Sequence, residues 1–329
     1  MNAVIFLLGL AVLLAGARWF VGGISAIAKA FGVSPLAIGM TVVAFGTSMP
    51  ELMVNVVSAM RGSTGLAFGN IVGSCIVNMG FVLGLTALIR PMRVEPSLIT
   101  REIPMLIVAA LAVLALGSDR ILDQAATDAW RRSDGIVLLL FFSIFLYYTT
   151  RQALRTRTTD SFLEEIEGEV NRQAPARPIW QELGLMLAGL AGVSFGAQWT
   201  VDSAVAMART LGITETVIGL TVISLGTTLP ELATCIMAAR RGDADIALGN
   251  VVGSNLFNLL CIGGIVSVIH PVAIPIEGRS DLLAMAILTA ILLPIAIRSG
   301  RTITRGEGAL LLILYAAYMT WRLATALRP

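Results

Sequence analysis

The chain is poor in the residues that build soft metal centres and disulfide frameworks. Its 329 residues include one histidine, His270, and three cysteines, Cys75, Cys235 and Cys261. A lone histidine gives no transition-metal ligand cluster, and no hydroxyl/base pairing of the kind an enzyme needs is in sight. The cysteines follow no pairing pattern and fall inside apolar runs, so they are expected to be small, buried packing residues. Charge is scarce as well: 13% of residues are charged and the net charge is +2, too little to point to nucleic acid. Ten-residue stretches of alternating polarity, the mark of a transmembrane barrel, are missing too, and runs such as Ile136 to Phe142 are continuously apolar.

Apolar residues fill the space. They make up 56% of the chain and the mean hydropathy is +0.84, far from a soluble domain. A bilayer span needs about 20 apolar residues. Ten such segments are predicted, near 2–23, 34–60, 65–89, 101–117, 135–150, 180–203, 214–239, 246–269, 281–298 and 308–326. The expected fold class is an all-α membrane protein.

The spans come in two copies. Residues 39–91 align with 219–271 without a gap, with 21 identities in 53 positions at a constant offset of 180. Gly46-Thr47-Ser48-Met49-Pro50-Glu51 recurs as Gly226-Thr227-Thr228-Leu229-Pro230-Glu231, and Gly69-Asn70-Ile71-Val72-Gly73-Ser74 as Gly249-Asn250-Val251-Val252-Gly253-Ser254. Segment 1 could be taken for a signal peptide, but Gly16-Ala17-Arg18-Trp19 matches Gly196-Ala197-Gln198-Trp199 at the same offset, so it is expected to belong to the fold.

Each copy holds five spans, an odd number, so the second must enter the membrane inverted. The domains are expected to be a five-helix repeat over 1–150, a linker over 151–178 and a second five-helix repeat over 179–329. Inverted repeats are typical of secondary transporters, with the site near the midplane where the repeats meet. Connections on the linker side carry the larger share of basic residues, among them Lys29, Arg90, Arg93, Arg151, Arg155, Arg157, Arg240, Arg241, Arg298 and Arg301. By the positive-inside rule that side is cytoplasmic and both termini are expected outside. The linker itself, Arg-rich and then Glu-rich, reads as a solvated connection.

The chemistry concentrates in segments 2, 3, 7 and 8. Ala44, Thr47 and Glu51 share one helical face, as do Ser224, Thr227 and Glu231. Pro50 has no N–H for the Gly46 carbonyl, so a kink and free carbonyls near 43–47 are expected. Non-helical backbone at membrane depth survives only inside protein or along a polar cavity. Asn70, Ser74 and Asn78 form a polar stripe, repeated by Asn250, Ser254 and Asn258, and Gly69/Gly73 and Gly249/Gly253 allow close helix approach. A charge at the bilayer centre costs at least about 2.5–3.5 kcal/mol. No basic residue lies deep enough to pair with Glu51 or Glu231, so these must hold protons or be neutralised by hard cations with oxygen ligands, such as Ca²⁺.

The doubled Gly-Thr-Ser/Thr-x-Pro-Glu and Gly-Asn-x-Val-Gly-Ser motifs resemble the paired alpha-repeats of sodium/calcium exchangers in the cation/calcium antiporter superfamily, prokaryotic type. The resemblance implies a Ca²⁺ site from Thr47, Glu51, Thr227 and Glu231. It implies Na⁺ sites around it, with Ala44, Thr47, Glu51 and Ser74 serving one side of the midplane and Ser224, Thr227, Glu231 and Ser254 the other. Ser48 and Thr228 would add hydroxyls, and Asn78 and Asn258 would complete the middle. Asn258 stands where many exchangers carry aspartate, which leaves two carboxylates, enough to balance one Ca²⁺ or two Na⁺. The implied activity is Na⁺-for-Ca²⁺ exchange by alternating access, with segments 1 and 6 as the moving pair. Li⁺ or H⁺ are alternatives to Na⁺. No prosthetic group is implied, the partners are the bilayer and the ions, and one chain suffices as a transport unit. A proton-coupled cation antiporter and a cation channel are the other readings of these residues.

Overall fold

The computed structural model describes residues 2–167, 177–211, 224–298 and 300–326. The first half contains α1 (Asn2–Phe31), α2 (Pro35–Thr47), α3 (Met49–Met60), α4 (Thr64–Ile89), α5 (Leu98–Leu116) and α6 (Arg132–Glu167). The second contains α7 (Ile179–Thr210), α8 (Ser224–Thr227), α9 (Leu229–Arg241), α10 (Ala244–Ile269), α11 (Gly278–Arg298) and α12 (Arg305–Ala326). Among the described residues, eight helices are long and apolar enough to span a bilayer, and α2 with α3 makes a ninth span bent by 48°. α8 with α9 is the counterpart of that bent span, but the segment before Ser224 lies outside the described residues.

Three boundaries differ from expectation. α1 continues past 23 to Phe31, because no turn residue intervenes before Gly32, which ends the helix at φ +62°. α7 likewise runs on to Thr210. α6 passes through 151 to Glu167, into the expected linker, since the Arg, Leu and Glu residues there are good helix formers.

Four two-residue strands interrupt the all-helical pattern: β1 (Met92–Arg93), β2 (Ala129–Trp130), β3 (Val272–Ala273) and β4 (Thr302–Ile303). Pro91 and Pro271 favour extended backbone at the residue before them. Arg90 and His270 accordingly end α4 and α10 at φ, ψ of −144°, 120° and −145°, 130°. β1 then pairs with β4 and β2 with β3, both antiparallel. Each pair joins one repeat to the other, and each requires its two loops to lie on the same membrane side.

α1 and α7 pack antiparallel through glycines seven residues apart. A Cβ on Gly9 would lie 3.0 Å from the Gly196 carbonyl oxygen, on Gly16 2.8 Å from that of Gly189, and on Gly23 2.6 Å from that of Glu182. Small residues of this kind let helix backbones touch in a membrane. Leu13, Ala17, Val193 and Ala197 form a small core with Ala233 at this seam, separate from the main core, which takes Phe20, Val21, Ile24 and Ala28 of α1 together with α2–α6 and α9–α12.

Candidate functional site

Both bent spans break at the same repeat position. Ser48 has φ −90°, ψ 7° and Thr228 φ −92°, ψ 2°, each immediately before a helix with proline in its first turn. Proline is tolerated there because that N–H has no partner within the helix. The break places Glu51 in the first turn of α3 and Glu231 in the first turn of α9, where the helix dipole and unpaired N–H groups favour negative charge. One expectation needs correction: the Ala44 carbonyl is not free, because it accepts from Ser48 N–H at 3.0 Å and from Thr47 Oγ1 at 3.4 Å. The turn is tight enough at this point to fold back onto its own carbonyl.

The two carboxylates are buried alike, 1% exposed each. Ser48 Oγ donates to Glu231 Oε1 at 2.8 Å and lies 3.1 Å from Ser254 Oγ. Thr47 Oγ1 donates to Asn250 Oδ1 at 3.2 Å, and Ser254 Oγ meets the same oxygen at 3.4 Å. Residues of α2 and α10 thus surround the carboxylate of α9, and the network crosses from one repeat to the other. Gly249 and Gly253 make this possible: a Cβ on either would meet the α2 backbone, at 2.8 Å from Leu36 O and 2.5 Å from Met40 O.

Asn78 opens a π-helical turn, Asn78–Val82, and Asn258 is the second residue of another, Phe257–Ile262. The turn of Asn258 packs on α3, and that of Asn78 on α9. Each asparagine therefore sits in an element that touches the glutamate helix of the opposite repeat. Asn78 Nδ2 donates to Asn255 Oδ1 at 3.0 Å. Thr47, Ser48, Ala44, Ser74, Ser254 and Thr228 are all buried, while Thr227 is half-buried. Ser224 begins α8, and its side chain lies outside the described residues.

What remains unpaired is informative. Glu51 Oε1 and Oε2, Glu231 Oε2, Asn55 Oδ1, Asn78 Oδ1 and Asn258 Oδ1 are buried without a hydrogen-bond partner. Every one of these oxygens is an acceptor when the carboxylates are ionised. Leaving such a group unsatisfied costs about 1–3 kcal/mol, more when it is charged. Among the described residues no lysine, arginine or histidine forms an ion pair with either glutamate. The cluster therefore calls for protons or hard cations from outside the protein.

Several participants escaped the sequence reading. Asn55 is fully buried; its Nδ2 donates to the Glu51 carbonyl at 2.7 Å and to Asn70 Oδ1 at 3.0 Å. At the equivalent place Asn250 Nδ2 donates to Cys235 Sγ at 3.3 Å. Cys235 is thus a hydrogen-bonding member of the network and not only a packing residue. Asn255 Nδ2 donates to the Cys75 carbonyl at 3.4 Å, and Cys75 Sγ lies 4.0 Å from the Asn255 carbonyl. Positions 75 and 255 are 180 apart and touch each other, which places the pseudo-twofold axis between them. The spacing from Glu51 to Asn55, one helical turn, was the available signal for Asn55; Asn255 and Cys235 were hidden because their repeat partners are different residue types.

The sequence matches the family described as sodium/calcium exchanger protein over residues 1–151 and 182–324. It is 34% identical over 326 residues to inner membrane protein YrbG of Escherichia coli (strain K12), covering 96% of each chain. It is 30% identical over 346 residues to sodium/calcium exchanger MaX1 of Methanosarcina acetivorans, covering 97% of each. The fold superposes on the solved structure of the sodium-calcium exchanger NCX_Mj, soaked with Na⁺ and Sr²⁺, with a TM-score of 0.81, 33% identity and 97% coverage of both chains.

Proposed function

The chain belongs to the sodium/calcium exchanger family of membrane transporters, and from that premise we propose that it is an antiporter exchanging Na⁺ for Ca²⁺ by alternating access. The observation that carries this reading is the set of buried acceptor oxygens on Glu51, Glu231, Asn55, Asn78 and Asn258 that no protein donor satisfies. Glu51, Glu231, Thr47 and Thr227 would hold Ca²⁺. Ala44, Thr47, Glu51 and Ser74 on one side of the midplane, with Ser224, Thr227, Glu231 and Ser254 on the other, would hold Na⁺; Ser48 and Thr228 would add hydroxyls, and Asn78 and Asn258 would close the centre. Two carboxylates neutralise one Ca²⁺ or two Na⁺ but not both loads together. Competition for the same oxygens is the elementary requirement for exchange.

Both half-sites lie in one chain, so a monomer is a complete transport unit. The repeats would span 1–150 and 179–329 around the 151–178 connection. With that connection in the cytoplasm, the termini face outward from the cell membrane, and an inward Na⁺ gradient drives Ca²⁺ out. Because no described lysine, arginine or histidine pairs with Glu51 or Glu231, protons can also neutralise them, which supports one competing reading in which H⁺ replaces Na⁺ on the same carboxylates.

The test is ⁴⁵Ca²⁺ uptake into proteoliposomes loaded with Na⁺, Li⁺, K⁺ or choline at matched pH, with Glu51→Gln and Glu231→Gln alongside. Uptake that requires internal Na⁺ and vanishes in both variants is the expected result. Uptake indifferent to Na⁺ but driven by an imposed pH gradient would transfer the assignment to proton coupling. Passage without any counter-ion would make the protein a channel.

A further inference from the structure

The repeat makes two grooves beside the α1–α7 pair, and it makes them with opposite electrostatics. One, of about 460 Å³, is lined by Arg18, Trp19, Gly22 and Glu182 together with Arg177 and Arg241. The other, of about 550 Å³, is lined by Asn2, Ile5, Leu8, Trp199, Asp202 and Ser203. Adding 180 turns Trp19 into Trp199, Gly22 into Asp202, Gly23 into Ser203 and Asn2 into Glu182. These are therefore one fold position seen from the two membrane sides. The tryptophan is kept, whereas three arginines line the first groove and an aspartate lines the second. Folding alone does not demand the arginines, since the equivalent groove forms without them.

Among the described residues Arg18, Arg177 and Arg241 make no salt bridge, not even with Glu182 in the same groove. Arg241 reaches over α1, where its Nη2 donates to the Arg18 carbonyl at 2.9 Å. Gly22 leaves room for it, since a Cβ there would lie 2.9 Å from Arg241 Nη1. The groove sits where α7 begins and α9 ends, and Trp19 beside it is 51% exposed. Tryptophan in such a place belongs to the headgroup belt, guanidinium groups match phosphate oxygens in a planar fork, and basic pockets between transmembrane helices take anionic headgroups.

We propose that the Arg18–Arg177–Arg241 groove binds the phosphate of an anionic phospholipid headgroup and thereby ties the α1–α7 pair to the end of α9. Native mass spectrometry of the full-length protein in detergent tests this, with phosphatidylglycerol, phosphatidylcholine or inorganic phosphate added. Phosphatidylglycerol should be retained about tenfold more than phosphatidylcholine, the difference that one or two charge-assisted contacts make. The preference should vanish in the Arg18→Gln/Arg241→Gln double variant. It should vanish also in Gly22→Asp, which gives this groove the aspartate of the other and keeps every arginine, so that the result does not hinge on one variant folding. Equal retention of both lipids, or a preference that persists in both variants at unchanged melting temperature, overturns the proposal. Displacement of phosphatidylglycerol by millimolar phosphate would overturn the lipid assignment in favour of a free anion.

Discussion

Glu51 and Glu231 are the same residue at the same repeat position, yet among the described residues a side-chain hydroxyl donates at hydrogen-bond distance to Glu231 and to neither carboxylate oxygen of Glu51. The donor, Ser48, lies in the other repeat at 2.8 Å, and hydrogen bonds to charged groups contribute about 1.5–3 kcal/mol. Ser48→Ala should therefore weaken half-saturation by Ca²⁺ about tenfold or more, measured as the concentration dependence of ⁴⁵Ca²⁺ uptake, with the fold intact. An unchanged half-saturation would mean that Ser48 only packs. Cys235 offers a second test. Its sulfur accepts from Asn250, whose oxygen in turn receives Thr47. Cys235→Ser preserves a polar partner for the amide, whereas Cys235→Val leaves a buried donor unpaired at a cost of about 1–3 kcal/mol. Val should lower the melting temperature in detergent and weaken uptake, and Ser should do neither.

At the scale of the element, the glycine seam of α1 and α7 is the most demanding contact in the fold. A Cβ on Gly189 would collide with the Phe20 backbone nitrogen and lie 2.7 Å from the Gly16 carbonyl oxygen, whereas Gly184 on the same helix has nothing within 4 Å. Backbone cannot yield as a flexible side chain does. Gly189→Ala should cost about 1–3 kcal/mol, as overpacking does, and show a lowered melting temperature, while Gly184→Ala should be silent. This is also where the limits of sequence reading are clearest. The broken spans were legible because Pro50 and Pro230 carry their own steric rule. The glycines of α1 and α7 were legible only as small residues, since partner and register depend on how the repeats meet. The π turns at Asn78 and Phe257 left no local mark, because they arise from accommodating one extra residue per turn against neighbouring helices. Asn55 and Cys235 were missed for a related reason: a buried network is defined by its partners across the repeat, and substitution of one partner erases the duplicated pattern.

The whole molecule is held to its inverted plan by two small strand pairs. Between β1 and β4 lie five spans, α5, α6, α7, α10 and α11, and the α8–α9 segment makes the sixth crossing. That number of crossings is even, as it also is between β2 and β3, so each pair can form only if the ten spans alternate. Arg93 in β1 and Ala273 in β3 are both exposed and 180 residues apart, and inversion requires them to face opposite sides. In a background with Cys75→Ala, Cys235→Ser and Cys261→Ala, Ala273→Cys should react with a membrane-impermeant maleimide on intact cells. Arg93→Cys should react only after permeabilisation, because it shares the side of the basic connection. Labelling of both from one side would break the inverted relation, and with it the argument that one half-site is presented to each face in turn. The reverse pattern would keep the inversion and turn the protein over in the membrane, exchanging the faces assigned to the proposed Na⁺ entry and Ca²⁺ exit.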